Sequence, residues 1–204
     1  MQSSDRDRSY IACIALCFAA LILAAPAAAL YADFSIYENG TGYSAEVAIE
    51  GLAEYQFTRP GILGEPVPTT VRNIRLSNSS GDVAFEAAQK SEITFPHGDY
   101  ILFYEGDLDG NSFSAIFSKS HNVTLHLPHP YLIENPLLGY ISQGGDLRYD
   151  DNALVITWED TRYIEVRFYD EIREIILYAF GTIWLTIMII LLFGYYLIRI
   201  KKRE

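Results

Sequence analysis

Residues 43–50 read YSAEVAIE, and the alternation decides the class of fold. Successive side chains of an extended chain point to opposite sides, so Tyr43, Ala45, Val47 and Ile49 share one face while Ser44, Glu46 and Glu50 take the other. That is a half-buried strand. The same period returns at residues 99–105, where Tyr100, Leu102 and Tyr104 oppose Ile101 and Phe103, and resumes in Phe113, Ala115 and Phe117. The Gly, Asp and Asn residues between these two runs predict a turn, and the runs a β-hairpin. Further strands are predicted at 70–76, 83–87, 92–95, 123–127, 154–158 and 163–169. Turn residues interrupt them at 39–42, 60–68, 78–82, 96–98 and 106–111. Many short strands punctuated in this way favour an antiparallel sandwich over a parallel α/β fold.

Residues 93–106, ITFPHGDYILFYEG, resemble the strand, Pro-x-Gly turn and tyrosine-bearing strand of transthyretin-like and other immunoglobulin-like sandwiches. The expected fold is therefore mainly β, an antiparallel immunoglobulin/transthyretin-like β-sandwich over residues 31–127. Residues 128–172 hold Pro130, Pro136, Gly139, Gly144 and Gly145 and read as a long loop and a membrane-proximal β-hairpin of the same domain.

Two apolar runs flank this middle. Residues 175–198 contain 24 uncharged residues, apolar on every face, a rod of about 36 Å at about 1.5 Å per residue, enough to cross a hydrocarbon core of about 30 Å. A transmembrane helix is predicted over 173–199 with a basic tail at 200–204. Arg199, Lys201, Lys202 and Arg203 crowd one end, whereas Asp170, Glu171 and Glu174 offset Arg173 at the other. By the positive-inside rule the C-terminus is cytoplasmic, with Tyr195 and Tyr196 at the inner boundary and Tyr178 at the outer one. Residues 1–30 have Arg6 and Arg8, an apolar stretch, then Pro26 and Ala27 to Ala29, the layout of a signal peptide cut before Leu30. An uncleaved signal anchor is the alternative. Both deliver the middle of the chain outside.

Cys13 and Cys17 lie in the leader, so the exported domain has no cysteine for a disulfide or zinc site. Residues 31–174 carry 23 Asp and Glu against 9 Lys and Arg, a net charge of −14. An acidic field of this size excludes nucleic acid and anionic lipid as partners of the domain.

The C-terminal third carries a second resemblance, in LVITWEDTRYIEVRFYDE (154–171), GYYLIRIKKRE (194–204) and NVTLHLPHPYLIENPLLGYISQGG (122–145). From residue 112 to the end the chain resembles a family of archaeal membrane-anchored proteins of unknown function from haloarchaea and methanogens. The resemblance implies an envelope protein and supplies no activity. It also implies, in some members, a lipoprotein-type cysteine after the signal, from which this chain departs at residues 30–33.

Candidate sites are few. Asp107, Asp109 and Asn111 alternate as at the start of a calcium loop, but Ser112 stands where that loop needs glycine and Ser118 where it needs glutamate. His121, His126 and His129 cluster within nine residues; on a strand His121 and His126 point to opposite faces, and Pro128 and Pro130 stiffen the rest. No nucleophile elbow, SxxK or HExxH occurs, and the pairs Asp150 with Asp151 and Glu159 with Asp160 read as turn chemistry. Trp158 reads as core or as part of an exposed aromatic patch, and Gly181 and Gly194 are too far apart for a GxxxG dimer face. Asn39, Asn78 and Asn122 each head an N-x-Ser/Thr tripeptide, and modification is expected at Asn39 or Asn78 before Asn122.

The sequence thus predicts no catalytic, cofactor-binding or metal residues. It points to a single-pass protein of the cell membrane, a non-catalytic envelope binding or structural protein whose partners are the membrane and an envelope protein or cell-wall component. The alternatives are an accessory subunit of a membrane complex, or an extracytoplasmic metal-dependent hydrolase using His121, His126 or His129.

Overall fold

The computed structural model describes residues 30–201 except Ile62, Asp151 and Asn152. The leader with Cys13 and Cys17, and the last three residues of the basic tail, lie outside the described residues. Among the described residues twelve strands precede one helix. They are β1 (Leu30–Ile36), β2 (Gly42–Gln56), β3 (Thr58–Pro60), β4 (Pro66–Pro68), β5 (Arg72–Asn78), β6 (Gly81–Asp82), β7 (Glu86–Gln89), β8 (Glu92–Asp107), β9 (Ser112–Pro128), β10 (Tyr140–Ile141), β11 (Asp146–Asp150) and β12 (Ala153–Arg167). The helix, α1, spans Glu171–Lys201, starting two residues before the predicted span.

The strands do not divide into two antiparallel sheets. Ten of them form one sheet, in the order β10-β12-β9-β1-β2-β8-β5-β6 with β11 and β7 alongside, and only β3 and β4 stand apart. One pair, β1 with β9, is parallel. The predicted hairpin of residues 99–105 with 113–117 does not form either: both runs are strands, but β1 and β2 lie between them. The residues read as two late strands, 154–158 and 163–169, belong almost entirely to one strand, β12, which pairs with β9 along both halves; the hairpin partner of β12 is β11.

The inward face follows the predicted alternation. Ala32 pairs with Val47 and Val123, Val47 with Leu102, and Val123 with Trp158, and all five are buried. A single sheet with one apolar face must cover that face, and here it bends over itself. Phe34 lies across from Leu125 in the register, yet its ring is 4.9 Å from that of Phe113, twelve residues earlier on the same strand. A straight strand would hold those two positions about 40 Å apart at roughly 3.3 Å per residue, so β9, with β12 beside it, folds back. The β2 and β8 ribbon does likewise: Phe57 packs 5.0 Å from Tyr104, whose partner Ala45 is twelve residues before Phe57.

Each bend contains a residue with positive φ whose N–H is taken by a side chain of the adjacent strand. Gly51 (φ 65°) donates to Asp99 Oδ1 at 2.8 Å, and Asp160 (φ 48°) donates to Asn122 Oδ1 at 3.0 Å. Each is an exposed residue pushed out of the ladder, and the side-chain acceptor pairs the N–H that the ladder no longer uses. The Pro-x-Gly at 96–98 is likewise an irregularity within β8, not a chain reversal; there Tyr100 is buried and its hydroxyl donates to Pro96 O at 2.8 Å.

An aromatic line ties the folded halves together, running Tyr55, Phe57, Tyr104, Tyr43, Phe113, Phe34, Phe117 and His121, with ring centroids 4.5–6.3 Å apart. Burial pushes the Tyr43 hydroxyl up to about 12, with help from Asp107, and burial followed by Tyr43 pushes Tyr55 to about 12; Tyr104 is raised well above its ordinary value, again mainly by burial. The unfolded chain loses these protons from about pH 10, while the folded domain keeps them to about 12 or beyond. The folded state therefore binds more protons in that window, and stability is full below pH 10 and falls above it. Melting curves across pH 9–12, read with tyrosinate absorbance, should show a late-ionising group of tyrosines and a falling midpoint. Ionisation of every tyrosine near pH 10 in the folded protein would contradict this.

Candidate functional site

The two bends meet at one end of the domain, around the start of β1. Among the described residues β1 begins at Leu30, opposite His121, and none of the described strands lies between β2 and β9 beyond it. His121 bridges part of this gap: it is buried, stacked on Phe117 at 4.5 Å, with Nδ1 2.9 Å from Lys119 O and Nε2 3.1 Å from Ala48 O. A neutral ring donates to one of those carbonyls; two protons are needed to satisfy both. Lys119 Nζ donates to Glu50 O at 3.0 Å and lies 3.7 Å from Glu50 Oε2, latching one bend to the other.

Beside this latch lies a cleft of about 460 Å³. Leu30, Ile49, Leu52, Tyr55, Ile116 and Phe117 give it an apolar floor, and Glu50, Glu54, Glu92 and Lys119 line it with charge. Both nitrogens of its histidine face main-chain carbonyls, and the apolar floor under a charged rim can hold an apolar or amphipathic group. The turns at the opposite end meet the helix: Tyr131 donates to Glu38 O, Leu108 N to Thr41 O, Phe168 N to Asn111 O, and Leu132 pairs with Tyr169, two residues before α1.

The residues singled out in the sequence are scattered. His121 is inside, His126 is on the outer face with Nε2 3.3 Å from Asp33 Oδ2, and His129 is exposed, so the three do not converge. Asp107 pairs with Arg72 at 2.9 Å and Asp109 with Arg59 at 3.3 Å, contacts that a calcium ion would have to displace. Among the described residues no group of three or more His, Cys, Asp or Glu is placed to hold a metal ion. Trp158 is core, 2% exposed, with Nε1 donating to Ser142 O at 3.4 Å.

Asn39 and Asn78 are exposed where turns were expected, each accepting a hydrogen bond from the backbone two residues on, Thr41 and Ser80. Asn122, just before the strand predicted at 123–127, is in the body of β9, and its side chain holds the Asp160 bend. Sequence reading missed the cleft. Its traces were Gly51 and the polar SKSH at 118–121, which break the alternation of two otherwise regular strands.

Fold and surface together define a mainly β protein, one bent sheet followed by a single C-terminal helix long and apolar enough to cross a membrane. Residues 32–204 match the Family of unknown function (DUF5803), and the chain belongs to that family. The match runs from the third residue of β1 to residue 204, in agreement with the resemblance to an uncharacterised family. No curated protein and no solved structure matches the chain.

Proposed function

We propose that this is a single-pass, membrane-anchored extracytoplasmic protein of an archaeal envelope, a non-catalytic domain that binds an envelope partner through the cleft at its bent end. One observation carries the reading. The helix follows the domain at one end, with none of its most apolar window buried, and the cleft lies at the other, where β1 begins, which supports a cleft remote from a membrane that α1 would occupy. The flanking charges, acidic before α1 and basic at its end, support an outward domain. The C-terminal resemblance to archaeal membrane-anchored proteins supports the setting.

A cleaved leader fits the same geometry. Leu30 enters at the cleft end, and Ile36, about 20 Å further along β1 at roughly 3.3 Å per residue, is nearer the helix. An uncleaved anchor ending at residue 30 would have to reach the bilayer from the end of the domain that faces away from it.

The test has two parts. Protease added to cells stripped of any wall layer should digest the domain and leave a membrane fragment containing α1. Capture from mild detergent should return a partner with the wild-type chain and lose it with Leu52→Asp, which puts a charge on the cleft floor. Protection of the domain overturns the orientation, and a partner retained by Leu52→Asp overturns the role of the cleft.

A further inference from the structure

We propose that the turn at residues 133–139 is a second membrane contact, seating Leu137 among the hydrocarbon chains of the leaflet nearest the domain; this rests on the reading of α1 as a membrane span. The turn is fixed. Asn135 N donates to the Tyr169 hydroxyl at 3.0 Å, Leu137 N to Asn135 Oδ1 at 3.1 Å, and Gly139 N to Asn135 O at 2.7 Å. Asn135 Nδ2 donates to Glu174 Oε1 at 3.3 Å, which ties the turn to the first turns of α1. Held in this way, Leu137 is 76% exposed, an arrangement with no benefit to the domain's own core.

Between the turn and the helix is a groove of about 800 Å³, with Leu137 on one wall and Leu177, Tyr178, Gly181 and Leu185 on the other. These helix positions recur at three- and four-residue spacing, so they form one face, hollowed at Gly181. Helix length places the groove in depth. A hydrocarbon core of about 30 Å takes about 20 residues at roughly 1.5 Å each. Counted back from Arg199, its outer boundary falls near Ala179. Leu185 then lies about 9 Å inside the boundary and Glu174 about 7 Å outside it, so the groove straddles the surface of the apolar layer.

Lipid hydrocarbon chains are the occupant that fits, because the groove wall below the boundary continues the lipid-facing surface of the helix, where water would be without partners. Charge sets the depth. Glu134 and Glu174 stand at the mouth of the groove, and the Tyr149 hydroxyl, 2.6 Å from Glu134 Oε1, holds that carboxyl below its usual range. An ionised carboxylate stays in the headgroup layer, so Leu137 enters by only a few ångströms. Tyr140, Tyr149 and Tyr178, 48–68% exposed, supply the amphipathic rings favoured at that level.

The experiment uses the full chain with Cys13→Ala and Cys17→Ala, reconstituted in phosphatidylcholine vesicles that contain spin-labelled lipid. An environment-sensitive fluorophore is attached in turn to Leu137→Cys, Leu185→Cys and Ser79→Cys. Quenching at Leu137 several-fold above that at Ser79, and stronger from a label near the headgroup than from one near the chain end, is the expected result. Quenching at Leu185 with Leu137 no different from Ser79 overturns the inference and leaves the membrane span standing. No quenching at Leu185 overturns the span and the inference together.

Discussion

Phe113→Ala is expected to lower the stability of the β-domain by about 3–5 kcal/mol, the usual cost of emptying a buried phenylalanine site. A domain of this size has about 5–15 kcal/mol in all, so the variant stands near the threshold of folding. The cost should be at the upper end because of where the ring sits. Phe113 is 2% exposed and touches both Phe34 and Tyr43, each at 4.9 Å, so its removal opens the seam between the folded-back half of β9 and the β1 and β2 strands beneath it. Neither wall of that seam can collapse freely, since each is held in its own ladder. Thermal melts of the full chain in detergent, followed by near-ultraviolet circular dichroism, should show the midpoint falling by about 10–20 °C. Phe193→Ala, in the exposed helix surface, should leave it unchanged. Equal effects from the two variants would refute the seam.

The second large effect concerns the helix. Ile187→Arg combined with Ile190→Arg places two cations near the middle of the apolar window, at about 2.5–3.5 kcal/mol each on insertion scales. Wild-type protein should resist extraction from membranes with alkaline carbonate, and the double variant should be extracted or fail to insert. Neither position contacts the β-domain core cluster, so the melt of whatever folded domain is recovered should be unaltered. Carbonate-resistant behaviour of the double variant would sink the membrane-anchor reading.

The alternation in YSAEVAIE was a faithful guide because facing is a local property: Ala45, Val47 and Ile49 are buried as their spacing requires, and so are Tyr100, Leu102, Val123, Leu125 and Leu127. His121 and His126 fall on opposite faces for the same reason. Partner choice is another matter. The runs at 99–105 and 113–117 are joined by seven residues, and proximity in sequence made them a hairpin. In the structure β1 and β2 occupy the space between them. Pairing is decided by which arrangement covers the most apolar surface, a sum over the whole sheet that no short window contains.

The candidate site was the least legible part, because its residues have no motif. Glu50, Lys119 and His121 become neighbours only after two ribbons bend, and the bends depend on Asp99 and Asn122 supplying acceptors from adjacent strands. Asn122 drew notice as the head of an N-x-Thr tripeptide, whereas its place in the fold is to hold Asp160.

By itself the sequence determined which residues face inward, that the chain is mainly β, and that it ends in a helix apolar on every side, since each follows from the period or continuity of side chains close along the chain. Only the tertiary structure decided that ten strands make one sheet, that β1 joins β9 in parallel, that both ribbons fold back, and that a cleft opens where they do. Those features arise from contacts between residues far apart in sequence, whose energies compete across the whole domain, and the broken alternation at Gly51 and at 118–121 does not by itself specify them.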